Sequence, residues 1–163
     1  MNCLFQKNGT ILFEHIDSFL AKLLLEPFQN NEISSEIISD YFLQKITKQD
    51  PLFSQDWKEY VAPELESLLV SCHQQVIADL SLLQNASSHD GDHTLAIPLA
   101  HRDAWLRMLS TVRLLLSSQH EIDGQEIQEK DLLKISTTQR KALLQMELFA
   151  VIQQCLVEAE WQD

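Results

Sequence analysis

The stretch Arg102-Asp-Ala-Trp-Leu-Arg-Met-Leu-Ser-Thr-Val-Arg-Leu-Leu-Leu-Ser-Ser118 decides the fold. Trp105, Met108, Leu109, Val112, Leu115 and Leu116 recur at steps of three and four, which places them on one face of an α-helix. Leu106 and Leu114 widen that face until little of the helix stays polar, and a helix of that kind belongs inside a protein. Three of the four arginines in the chain, Arg102, Arg107 and Arg113, nevertheless ride on it.

Around this helix the chain has a composition that suits one soluble, helix-rich domain spanning residues 1–163. Three glycines and four prolines leave few interruptions to helix. No apolar run approaches the roughly 18 residues of a membrane span. Met1–Lys7 has no charged region followed by an apolar core, so no secretory leader is expected and the cytoplasm is the expected compartment. Cys3, Cys72 and Cys155 are odd in number and far apart, which fits a reducing compartment better than a disulfide framework or zinc cluster. Twelve basic against 24 acidic residues give a net charge of −12, the wrong balance for a partner as anionic as nucleic acid.

Taken in order, residues 3–13 predict a β-hairpin, with Asn8-Gly9 suited to a tight primed turn. Ile16, Phe19, Leu20, Leu23 and Leu24 mark a first amphipathic helix halted by Pro27, and Ile33, Ile37, Ile38 and Tyr41 a second. Residues 47–56 read as a loop, and Pro63 suits the first position of a long helix. That helix carries Leu65, Leu68, Leu69, Cys72, Val76, Leu80 and Leu83 on its stripe. A polar connector, 85–93, leads to a β-like segment, 94–97, able to join the hairpin as a third strand. After the central helix, Asp123-Gly124 marks a turn and 125–134 a short charged helix. Ser136 and Gln139 stand at capping-box spacing before a final helix, 137–159, striped by Leu144, Leu148, Val151, Ile152, Cys155 and Ala159. The expectation is a mostly α protein: a bundle of five or six helices with a small N-terminal β-element, packed around 63–84, 101–118 and 137–159.

Candidate sites are few. His89, Asp90, Asp92 and His93, with His101 eight residues on, are suitable metal-ligand types. Their Gly- and Ser-bearing segment lacks a helical register to hold both histidines on one face, so a solvated linker is the simpler reading and no cofactor is expected. Lys134, Arg140 and Lys141 surround a capped helix start that could present a reading helix to DNA, but Glu121, Asp123, Glu126, Glu129 and Asp131 crowd the approach. There is no Gly-rich phosphate loop, nucleophile elbow or His-Glu-x-x-His, so an enzyme is not expected. Arg113 has no carboxylate three or four residues away on its own helix. A structural ion pair from another helix is expected, with Glu64 or Glu66 as partner.

The run Trp105-Leu-Arg-Met-Leu-Ser-Thr-Val-Arg-Leu-Leu-Leu116 resembles the central helix of an uncharacterised bacterial family best known from actinobacteria, Trp-Leu-Arg-x-Leu-x-x-x-Arg-Leu-x-Leu. Trp105, Leu106, Arg107, Leu109, Arg113, Leu114 and Leu116 match in order, and Ile152-Gln153 stands where the family carries Leu-Gln in its last helix. The chain departs at Ser117-Ser-Gln-His120, where that family continues through a Gly to Arg-Leu. It also lacks a Lys common on the preceding long helix, with His73 nearby. The resemblance implies a helical cytoplasmic protein whose gene often neighbours that of the Clp-protease adaptor, and a redox-responsive transcriptional role for some members. Composition and resemblance together lead to the expectation of a non-enzymatic regulatory or interaction protein whose partner is another protein. The alternatives are a nucleic-acid-binding regulator and a metal-dependent hydrolase.

Overall fold

The structure is a computed structural model, which describes residues 1–29, 37, 41, 55–85, 92–122 and 135–159. Three strands, β1 (Asn2–Gln6), β2 (Thr10–Ile16) and β3 (His93–Pro98), form an antiparallel sheet in the order β1-β2-β3. Among the described residues four α-helices of known bounds accompany it: α1 (Ser18–Gln29), α2 (Ala62–Asn85), α3 (Arg102–Gln119) and α4 (Thr137–Glu158). The protein is thus mostly helical with a small sheet. The helices expected at 33–42 and 125–134 lie almost wholly outside the described residues.

Alternation places Ile11 and Phe13 of β2 and Leu95 and Ile97 of β3 on one buried face. The register joins them into two rows, Phe5–Ile11–Ile97 and Cys3–Phe13–Leu95, so the third strand sits where the sequence suggested. The hairpin turn is not the two-residue primed turn expected. Gly9 N–H donates to Gln6 O across 3.0 Å, and Gly9 takes the left-handed conformation (φ 75°) while Asn8 does not. The loop is therefore three residues long, Lys7-Asn8-Gly9, with glycine at the position that requires positive φ. Between Phe13 and Ile16 the β2–β3 register slips, and His15 (φ 56°) is turned outward to Asp92, 2.8 Å away.

The central helix behaves as its pattern demands. Trp105, Met108 and Leu109 are fully buried and Val112, Leu115 and Leu116 nearly so. Burying each such side chain stabilises the fold by about 1.5–3 kcal/mol before entropy is counted. Helix α3 packs against both α2 and α4, while α1 packs against α4. One hydrophobic cluster draws residues from β2, β3 and all four helices.

Helix starts follow local chemistry. Asp17 Oδ1 accepts from Leu20 N–H ahead of α1, and Ser136 and Gln139 complete the expected capping box at α4. Pro63 does not open a helix. A π-helical turn over Trp57–Val61 leads directly into α2, with Ala62 N–H reaching back to Trp57 O. A wide turn suits this place because the missing N–H and ring of Pro63 disfavour regular α-helix just there.

Pro27 does not halt α1 either. It lies inside the helix, buried in the last turns. Proline cannot donate to the carbonyl four residues back, here that of Leu23. The buried amide of Gln145 on α4 donates to that carbonyl instead, at 3.3 Å. The break in the α1 ladder is thus repaired from α4, and the repair fixes one helix against the other.

Several residues of the expected stripes are exposed. The buried line of α4 is Ala142, Gln145, Leu148, Phe149, Ile152 and Leu156, and Leu144 and Val151 stand about 100° or more around the helix from its centre. Phe19, Leu68 and Leu114 are exposed in the same way on their helices.

Candidate functional site

Two of those exposed apolar residues face a common groove. The face of α1 that carries Phe19, Lys22, Leu23 and Glu26 forms one wall, and Thr137, Arg140, Lys141 and Leu144 of α4 form the other. Residues 19–26 and 137–144 each give a wall of about 10 Å at 1.5 Å per residue. The space between is about 320 Å³. Phe19 is 59 % exposed and Leu144 46 %, whereas Leu23 beneath them is buried. The Gln145–Leu23 hydrogen bond and an ion pair between Lys141 Nζ and Glu26 Oε1 hold the walls together. Among the described residues Lys22, Arg140 and the Lys141–Glu26 pair border an apolar floor.

A second polar assembly lies deep between α2 and α3. Asp79 is buried, and its Oδ2 accepts the indole N–H of Trp105 at 2.8 Å. His101 Nδ1 lies 3.1 Å from both carboxylate oxygens, so this nitrogen carries the proton it shares with Asp79. Gln75 Nε2 also lies 3.1 Å from His101 Nδ1, but with the proton on that nitrogen both groups are donors, so this is a contact and not a hydrogen bond. A carboxylate in a core needs such donors, and here they bolt the start of α3 to the middle of α2.

The expected metal ligands are not brought together. His89 and Asp90 lie outside the described residues, Asp92 bonds His15, and His101 is committed to Asp79. His93 opens β3, with its Nδ1 buried and lacking a hydrogen-bond partner. Among the described residues no group of three His, Cys, Asp or Glu side chains could hold a metal ion. Of the basic trio, Lys134 lies outside the described residues, while Arg140 and Lys141 border the groove.

Arg113 departs from its expected partner. Its Nη1 donates to Gln153 Oε1 on α4 at 2.7 Å, while Glu64 and Glu66 stand exposed near the start of α2. The Gln153 amide in turn donates to Ser110 Oγ at 2.7 Å and Leu106 O at 3.3 Å, stitching α3 to α4. Arg113 is half-buried, and its Nε is buried without a hydrogen-bond partner, so Gln153 satisfies only one end of the guanidinium. Arg107 is exposed, and its charge partly offsets the rise that burial imposes on the Cys72 thiol.

The fold brings together two cysteines that the sequence keeps far apart. Cys3 on β1 is raised to about 12 by burial, by the neighbouring Cys155 thiol and by the Glu158 carboxylate. A thiol so raised stays protonated near neutrality and is a poor nucleophile. Burial also lowers His73, whose ring stacks on Phe28 at 6.2 Å.

A family model described as a domain of unknown function, DUF2017, matches residues 21–160. The chain belongs to the DUF2017 family. No curated protein and no solved structure gave a match. Within the DUF2017 span fall both walls of the groove except Phe19, the whole Asp79 assembly, and the Arg113–Gln153 link. No helix among the described residues is long and apolar enough to cross a membrane.

Asp79 was the residue that sequence reasoning missed. Its signal was a single acid set among Cys72, Val76, Leu80 and Leu83 on an otherwise apolar stripe, with Trp105 and His101 elsewhere able to donate. Gln145 left a similar trace as an amide within the α4 stripe, and its partner followed from Pro27.

Proposed function

We propose that the protein is a non-enzymatic regulatory or interaction protein of the cytoplasm that engages another protein through the α1–α4 groove. The observation that carries this reading is the exposure of Phe19 and Leu144 over one groove between two helices. Large apolar side chains gathered at a concave surface gain by being covered, and a protein partner is the usual cover. The buried assembly at Asp79 supports the non-enzymatic reading, because its carboxylate is occupied by structural donors within the core. The resemblance of Trp105–Leu116 to a family encoded beside the Clp-protease adaptor, mainly in actinobacteria, supports a regulatory setting.

Affinity purification from the native cell tests the proposal, with the native chain and a Phe19→Asp/Leu144→Asp double variant as baits. A protein recovered stoichiometrically by the first and lost by the second is the expected result, with matched circular dichroism showing that both baits are folded. Equal recovery by both baits, or recovery of no protein, overturns the reading. A gel shift addresses nucleic acid separately: binding driven by Arg140 and Lys141 would weaken steeply with salt, and it would show that the surface serves a different ligand.

A further inference from the structure

We propose that Cys3 and Cys155 form a site for a monovalent soft metal ion, Cu(I), held between their two sulfurs where β1 meets α4. The thiols are far apart in the chain, yet the fold sets them within hydrogen-bonding reach of each other. Strand β1 places Cys3 on the inner face of the sheet, in the row Cys3–Phe13–Leu95, where it packs against the core. Cys155 stands on α4 and packs against the same core. Both are free and half-buried, so an ion from solution has a way in. Met1 packs there too, two residues from Cys3, the step that returns an extended chain to one face, and brings a thioether to that side of β1. The site stands apart from the α1–α4 groove, and its Cys3 half precedes the DUF2017 span.

The donor set chooses the ion. Zinc is held by a tetrahedron of ligands, and calcium and magnesium by a full shell of oxygens. Among the described residues no group of three His, Cys, Asp or Glu side chains supplies such a set. Cu(I) prefers thiolate and thioether ligands, and with its filled d shell it accepts low coordination numbers. Charge points the same way. Burial, the neighbouring thiol and the Glu158 carboxylate all hold the proton on Cys3. Once a cation sits between the sulfurs, the same negative neighbours favour the bound state. Binding forms one Cu–S bond at each sulfur and releases the proton of each thiol to solvent. Copper enters and remains as Cu(I), so no oxidant or reductant takes part.

The probe is Cu(I) offered as its bicinchoninate complex to the reduced full chain under nitrogen. One equivalent should pass to the protein, read as loss of the coloured complex. X-ray absorption at the copper edge should show a shell of sulfur alone. Cys3→Ser and Cys155→Ser should each weaken uptake by at least about tenfold, because a single thiol loses the gain of a second one held beside it. Cys72→Ser, which changes a buried thiol on α2, should leave uptake as it was. Acidifying from about pH 7.5 to about pH 6 should weaken uptake at least about tenfold, since protons compete for both sulfurs. The ion should also raise the melting temperature of the native chain and not that of either site variant, because it ties β1 to α4. Circular dichroism of the metal-free variants checks their folding, and the stoichiometry and sulfur shell of the native chain decide the matter without them.

Copper left with the chelator, a shell containing oxygen or nitrogen, or equal uptake by all three variants would overturn the assignment. So would a doubling of particle mass on adding copper, which would mean that single thiols of two chains share the ion. A reduced chain that takes up no Cu(I) yet forms a Cys3–Cys155 disulfide in air would overturn it as well and assign the pair to oxidation.

Discussion

The hydrogen bond from Gln145 to the Leu23 carbonyl makes a sharp prediction, because its need is created by Pro27. Replacing Gln145 with Leu keeps similar volume but leaves that carbonyl without a donor in the core. Leaving a buried backbone acceptor unpaired costs about 1–3 kcal/mol. The contact is long at 3.3 Å, which places the expected loss in the lower half of that range, about 1–2 kcal/mol. In a domain of this size about 1 kcal/mol corresponds to roughly 2–4 °C in melting temperature. The second arm is Pro27→Ala, which restores an N–H able to close the α1 ladder onto Leu23. In that background Gln145→Leu should cost less than about 0.5 kcal/mol, since the carbonyl has its partner from within the helix. Urea unfolding followed by circular dichroism and tryptophan fluorescence would give the four stabilities of the cycle, provided the two signals coincide. Whatever Pro27→Ala does by itself, through helix propensity, packing or the unfolded chain, cancels in the cycle. A Gln145→Leu cost equal in both backgrounds would refute the reasoning and reduce the amide to ordinary core packing.

The other predictions concern the remaining polar contacts of the core. Asp79→Ala should cost about 1.5–3 kcal/mol, since it strips the indole of Trp105 of an ionised acceptor, and tryptophan emission should shift as the melting temperature falls. An Asp79→Ala variant as stable as the native chain would mean that water replaces the carboxylate. Burial lowers His73 below its ordinary 6.5, so between the lowered value and 6.5 the unfolded chain binds the proton more readily than the folded one. Stability should therefore be retained above about pH 6.5 and decline below it, and His73→Phe should remove that part of the decline in urea titrations at pH 7 and pH 5. Glu121 is held at φ 52° after α3, where glycine carries no steric cost, so Glu121→Gly should raise stability by about 1 kcal/mol. Arg113→Met should lower the melting temperature by no more than about 2–4 °C, because it removes a half-buried contact to a neutral amide; a much larger fall would point to a charged partner.

The parts of the fold that were legible in the sequence are those governed by local pattern. The stripe through Trp105 and Leu109, the capping box at Ser136 and the strand at 94–97 each depend on residues within a few positions of one another. The parts that were not legible depend on meetings across the chain. Asn8-Gly9 suits two kinds of hairpin, and the register of Gln6 against Thr10 selects the three-residue loop. Pro27 reads as a stop until Gln145, more than a hundred residues on, supplies a donor to the broken ladder. Arg113 calls for an acceptor, but only the packing of α3 on α4 names Gln153 rather than an acid on α2.

The groove shows most clearly why an apolar stripe overstates a core. Periodicity reports which side chains share a helix face, and says nothing of how far that face extends around the helix before its neighbour ends. On α1, Leu23, Leu24 and Phe28 are covered, while Phe19 reaches past the edge of α4. On α4, Leu148 and Ile152 are covered and Leu144 is left at the same margin. Widening the neighbouring contact would have buried both, but the sequence places Lys22, Arg140 and the Lys141–Glu26 pair there, and taking charged side chains out of water is costly even when they are paired. The fold alone therefore gains nothing by closing over Phe19 and Leu144. A partner's apolar residues can cover Phe19 and Leu144 while the charged ends at the border stay in water, so the exposure of these two side chains above a buried Leu23 is what argues for an occupant.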